Sequence, residues 1–152
     1  MSKPTFKQRI SQLDLRLRHR VPMVHQTESS ECGLACLAMI CGFYGKNVDL
    51  IALRRQFSLS TRGATLTGLT GIAEQLGLAT RPLSLDIDEL SALKLPCILH
   101  WEFNHFVVLV SIKGHRAVLH DPARGRRAIS LTELSHSFTG VALRSEERRV
   151  GK

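Results

Sequence analysis

A cysteine ahead of an apolar helix, and a histidine set against an aspartate across a hairpin, are parts of a nucleophilic site. This chain has both. The run QTESSECGLACLAMICGFYG, residues 26–45, places Cys32 just after Ser29 and Ser30, either of which can cap a helix. A thiol in the first helical turn lies where the helix dipole and free backbone N–H groups favour a thiolate. Cys36 and Cys41 fall deeper in the helix, and Cys97 lies inside PCILHW, so these three read as small buried apolar residues. On position alone Cys32 is a candidate nucleophile, and an apolar helix that happens to use cysteine is the competing reading. Zinc is a poor fit, because C-x3-C-x4-C on one helix cannot aim three thiols at one ion. A thiol redox pair is a poor fit too, because such pairs use C-x-x-C spacing and Cys32 and Cys36 are C-x3-C.

A nucleophilic cysteine needs a base, and the base needs an orienting group. In HFVVLVSIKGHRAVLHD, residues 105–121, a turn at Lys113-Gly114 sets His105 opposite Asp121 to within about one residue. A carboxylate so placed can hold the imidazole in one tautomer. Pro122 then stops the strand and fixes the aspartate at the sheet edge. His100 and His120 compete as bases but sit within strands and read as structural, while His19 and His25 lie in entry segments. A solvated strand-end histidine is the competing reading for His105 taken alone. Gln26, six residues before Cys32, could join the Cys32 backbone N–H in holding an oxyanion, although a loop glutamine is ordinarily just solvated.

The elements that must position these groups fall into two halves. Residues 1–20 space Phe6, Ile10, Leu13 and Leu17 helically among basic residues, which predicts a short amphipathic arm. Helices are predicted from about residue 30, ended by Gly42 and Gly45, then after Asp49 through Phe57, and after Thr65 up to Gly77. The loop STRGAT joins the last two. From residue 78 the pattern turns to strands: LATRPLSL, PCILHW, HFVVLVSI, RAVLHD and GVALR, with HFVVLVSI apolar on both faces and therefore central. Short helices interrupt them at DIDELSAL, capped by Asp86, and at LTELSHSF, where Ser130 and Glu133 form a capping box. The expected class is α+β: a helical N-terminal half packed on an antiparallel C-terminal sheet. The expected organisation is a basic arm over 1–21, a folded domain over 22–144 and a tail over 145–152.

Charge and composition narrow the partners. The net charge is +8, but residues 1–20 hold +5 and residues 144–152 hold +2, leaving the body at +1. A nucleic-acid binder carries its charge on the folded body, so this distribution argues against one; basic ends suit anionic lipid or an acidic partner. No apolar run approaches the roughly 18 residues of a membrane helix, and no secretory signal is visible, so reduced thiols are expected.

The run 26–45, with GIAEQLG, LPCILHW, NHFVVLV and HDPARG in that order, resembles the N-terminal peptidase domain of bacterial ABC exporters for double-glycine leader peptides, most nearly those of microcins and colicins. The resemblance covers about residues 20–143. It implies a papain-like cysteine protease fold, with Cys32 as nucleophile, His105 as base, Asp121 as orienter and Gln26 as oxyanion donor. It implies no cofactor or metal for the peptidase itself, and ATP with magnesium for the full-length transporter. Implied partners are the leader-bearing precursor peptide, the transporter's own transmembrane and ATPase domains (dimeric when full length) and other export components. The implied place is the cytoplasmic face of the bacterial inner membrane. The tail SEERRVGK departs from the family pattern, so the chain reads as an excised or truncated domain. A peptidase-like domain that only docks leaders is the alternative.

Overall fold

The computed structural model describes residues 20–57 and 63–147. The predicted arm, apart from Arg20 and Val21, lies outside the described residues, as do the first three residues of the STRGAT loop and the end of the tail. Helix α1 (Cys32–Phe43) is followed by α2 (Leu50–Gln56) and α3 (Leu66–Gln75). The strands are β1 (Leu78–Ser84), β2 (Cys97–Trp101), β3 (His105–Lys113), β4 (Arg116–Asp121), β5 (Gly125–Ser130) and β6 (Phe138–Glu147). Helix α4 (Leu131–Ser137) lies between β5 and β6. All strand pairings are antiparallel, in the order β1-β6-β2-β3-β4-β5. This is the expected α+β architecture, and β3 is central as its apolar run requires.

The caps show which local rules hold. Asp49 accepts from the Ile51 N–H at 3.3 Å and Thr65 from the Gly68 N–H at 3.0 Å, as their side chains predict. Ser130 accepts from the Glu133 N–H at 3.0 Å, but the Glu133 carboxylate turns to Arg127. The expected serine cap of α1 is not formed. A short 3-10 turn, Ser29–Glu31, precedes the helix, and the carboxylate of Glu31 takes up the Glu28 N–H at 3.4 Å instead. Gly42 does not end α1 but lies inside it, packed on Pro22, and the left-handed Gly45 makes the break.

The sheet is covered on both faces. On one face Ile98, Phe106, Val108 and Leu143 pack with α1, α2 and α3. On the other, Leu99, Val107, Leu109, Leu119 and Ala142 pack with Leu90 and with Leu134 of α4. Residues 32–41 of α1 are buried all round, as a helix must be when it carries apolar residues on every side. β6 runs through Glu147, so the expected domain boundary at residue 144 falls inside a strand.

Candidate active site

Cys32 is the first residue of α1, and its thiol is almost wholly buried. His105 opens β3 and Asp121 closes β4. The hairpin register differs from the sequence expectation. Lys113 pairs with Arg116, so the turn is Gly114-His115, and an irregularity between Leu109 and Ser111 shifts the pairing to Val108 with His120. Continuing that register sets Asp121 level with Val107, two residues from His105. Residues two apart share a face of a strand, and such diagonal neighbours remain within reach of long side chains. His105 Nε2 donates to Asp121 Oδ1 at 2.7 Å. The Cys32 side chain lies near enough to act on the imidazole, and Nδ1 is the ring nitrogen left free to face it. Thiol, imidazole and carboxylate therefore lie side by side, with the last two hydrogen-bonded.

The electrostatics follow. Burial opposes a charge on His105, but the hydrogen bonds and negative charge of Asp121 and Cys32 outweigh it, and the imidazolium pKa is pushed up to about 9. Burial would raise Asp121, yet hydrogen bonds from His105 and from the Ala123 N–H at 2.9 Å hold it below the ordinary carboxylate range. The other candidate bases are occupied structurally. His120 donates from Nδ1 to the Pro22 carbonyl at 3.1 Å and accepts at Nε2 from Arg126 at 3.1 Å; burial and the Arg126 charge favour its neutral form. His100 donates from Nδ1 to the Thr139 hydroxyl at 2.8 Å, and that hydroxyl donates back to the His100 carbonyl at 3.1 Å. The remaining thiols pack: Cys36 and Cys41 lie in the core under the helices and Cys97 in the core on the other face of the sheet. Burial drives Cys97 up to about 12 and Cys41 up to about 11.

Gln26 is tied to the site through its backbone. Its N–H donates to the Pro122 carbonyl at 2.9 Å, one residue past Asp121, while its side-chain Oε1 is buried with no hydrogen-bond partner. Sequence reasoning passed over Glu31 and Thr27, which lie between Gln26 and Cys32, and over Arg54 of α2. Nothing in their local pattern separates them from solvated polar residues. Among the described residues no group of three or more His, Cys, Asp or Glu side chains is arranged to hold a metal ion. A cavity of about 730 Å³, lined by Pro22, Phe43, Pro96, His120 and Arg126 among others, includes none of the four site residues.

A papain-like α+β fold carrying a buried thiol, an imidazole and a carboxylate in series defines the class, that of the cysteine proteases. Residues 20–149 match the Peptidase C39 family, and the chain belongs to it. It is 68% identical over 143 residues to the colicin V secretion/processing ATP-binding protein of Escherichia coli, covering 94% of this chain and 20% of that protein. It is 67% identical over 143 residues, with the same coverages, to an Escherichia coli protein named a probable microcin-H47 secretion/processing ATP-binding protein. The chain thus spans about a fifth of the length of these relatives. Among solved structures, a double glycine motif protease from an AMS/PCAT transporter, crystallised with its leader peptide, superposes with a TM-score of 0.80 at 38% identity, covering 87% of this chain and 95% of that one.

Proposed function

We propose that this chain removes the leader of a precursor peptide by cutting after a Gly-Gly pair, with Cys32 as nucleophile, His105 as base and acid, Asp121 as orienter and Gln26 as oxyanion donor. The observation that carries the reading is the hydrogen bond between His105 and Asp121, beside a cysteine at the first position of α1. The likeness to a double glycine motif protease supports the substrate. Two residues without side chains can enter a cleft that rejects anything with a Cβ.

The steps follow from these roles. The Cys32 proton already rests on His105 as the imidazolium, and the sulfur attacks the carbonyl carbon of the second glycine. The negative charge that develops on its oxygen meets the Cys32 N–H and the Gln26 carboxamide. The imidazolium, favoured by Asp121, gives its proton to the leaving amine, which departs with the cargo. Water, deprotonated by the same imidazole, then hydrolyses the thioester and frees the leader. Asp121 keeps the ring in the tautomer both steps need.

By the same reading the domain works at the cytoplasmic face of the bacterial inner membrane, attached to transmembrane and ATPase domains that use ATP and magnesium, dimeric when complete and coupled to further export components. Among the described residues no helix is long and apolar enough to cross a membrane. A domain that docks leaders without cutting them is not favoured, since it has no use for the thiol, the imidazole and the carboxylate together.

The test is mass spectrometry of a synthetic double-glycine leader joined to a few cargo residues, incubated with the parent and with Cys32→Ala. Cleavage after Gly-Gly by the parent alone is expected. Binding by both and cleavage by neither would leave the docking domain as the answer.

A further inference from the structure

Glu31 immediately precedes Cys32, and its side chain is only 3% exposed, yet the mechanism above gives it nothing to do. Its carboxylate is fully engaged. Oε2 accepts from the Thr27 N–H at 3.1 Å, the Thr27 hydroxyl at 2.9 Å and the Glu28 N–H at 3.4 Å. Oε1 accepts from Nε of Arg54, which reaches over from α2. Nη2 of the same guanidinium donates to the Thr27 hydroxyl oxygen, closing a three-cornered ring. Burial works against a charge on Glu31, but the bonds from Arg54, Thr27 and Glu28 hold the carboxyl below its usual range. Removing one partner would leave an uncompensated buried charge, which is costly.

The ring's place in the chain gives it a use. Thr27 directly follows Gln26, and Glu31 directly precedes Cys32. The ring therefore closes the loop that separates the two proposed oxyanion donors, one residue inside each. Gln26 needs such support. Its carboxamide oxygen finds no partner in the protein, so the aim of the side chain depends on the backbone at 26 and 27. That backbone is held on one side by the Pro122 carbonyl and on the other by the ring. Oxyanion donors act only when they are in place before charge develops, and small misplacements are expensive.

We propose that the Glu31–Thr27–Arg54 ring sets the spacing between the Gln26 carboxamide and the Cys32 N–H, with Glu31 as its positioning residue. The inference rests on the reading of Gln26 as an oxyanion donor. It also accounts for arginine at 54: one planar fork reaches two acceptors at once, which a lysine ammonium at the end of a flexible stem does not.

A double-mutant cycle tests it. Glu31→Gln and Thr27→Val are each made in the parent and in Gln26→Ala, with cleavage of the synthetic leader peptide giving kcat and KM. Alkylation of Cys32 by iodoacetamide reports the thiol and its imidazole without any oxyanion. In the parent background Glu31→Gln should lower kcat by tenfold up to about 100-fold, the cost of losing one oxyanion donor, with KM and alkylation nearly unchanged. In Gln26→Ala the same change should cost no more than about twofold. Equal losses in both backgrounds, or alkylation falling as far as kcat, would show that Glu31 only supports the fold, and would overturn the proposal. Should circular dichroism show that Glu31→Gln does not fold, Thr27→Val makes the same comparison, because Thr27 is exposed and the Glu31–Arg54 pair survives its loss. A parent that cuts with a fully active Gln26→Ala sinks the Gln26 role and the ring with it. A parent that fails to cut sinks the peptidase reading itself.

Discussion

Whether His105 carries a proton near neutral pH depends on which of two influences prevails. Burial favours the neutral ring, while Asp121 and Cys32 favour the charged one, and the charged one prevails with a pKa of about 9. The folded chain therefore holds this proton more tightly than the unfolded chain, whose histidines titrate near pH 6.5. The stability it contributes is complete below about pH 6.5 and is lost as pH rises through about 9. Asp121 behaves oppositely: its depressed pKa contributes stability above the ordinary carboxylate range of about 4, and that is lost on acidification. Asp121→Asn should keep the fold, lower kcat by on the order of 100-fold or more, and move the alkaline limb of the kcat/KM profile toward neutral pH. A pH profile of cleavage checks this, and an unmoved alkaline limb would refute the assignment of that limb to His105. Just before His105, Phe103 holds φ +59 with its side chain 96% exposed. Left-handed backbone is costly for a residue with a Cβ, and here no burial offsets it. Phe103→Gly should thus raise the melting temperature by a few degrees, about 1 kcal/mol, in a thermal melt.

Helix α1 connects the nucleophile to the rest of the core, and its glycines set how closely neighbours approach. A Cβ on Gly33 would lie 2.7 Å from Cδ2 of Leu69, a side-chain end that can move. A Cβ on Gly42 would lie 2.5 Å from Cγ of Pro22, whose ring has little freedom and whose carbonyl is bonded to His120. Alanine gains up to about 1 kcal/mol of helix propensity over glycine, but overpacking of this kind costs about 1–3 kcal/mol. Gly42→Ala should therefore be destabilising by about 1 kcal/mol, while Gly33→Ala should be tolerated better; urea melts of the two variants compare them. These local devices also mark how far sequence reasoning reaches. Asp49 and Thr65 were legible as caps because a cap is decided within three residues. Cys32 at a helix start was legible for the same reason. The serines are not caps because they lie in a 3-10 turn before the helix, a turn tied back to Thr27 and Glu28 by the Glu31 carboxylate, which Arg54 holds from 23 residues away, and no local pattern reports so distant a partner. His105 and Asp121 were paired correctly, but by a register two residues off, because the turn falls at Gly114-His115 and not at Lys113-Gly114, a shift that the strand irregularity only partly takes back.

The order of strands explains why the end of β6 belongs to the folded unit. Chain order alone would set β6 at an edge, beside β5. Instead it enters between β1 and β2, joining the strand that follows the helices to the strands that carry His105 and Asp121. Its last three residues, Ser145, Glu146 and Glu147, pair with Thr80, Ala79 and Leu78. Ser145 is buried, and its carbonyl accepts from the Tyr44 hydroxyl at 2.9 Å, fastening the far end of the helix that begins with Cys32. A chain cut after Arg144 would expose the buried Leu78 and leave that hydroxyl without its partner. Each net hydrogen bond is worth about 1 kcal/mol, and burial of Leu78 adds a comparable amount. In a domain of this size that predicts a melting temperature lower by about 5 °C than for a chain ending at Glu147. Two chains melting within about a degree of each other would place the boundary at 144 after all. Cleavage at temperatures well below either melt should be the same for both, because the loss falls at the opposite end of α1 from Cys32.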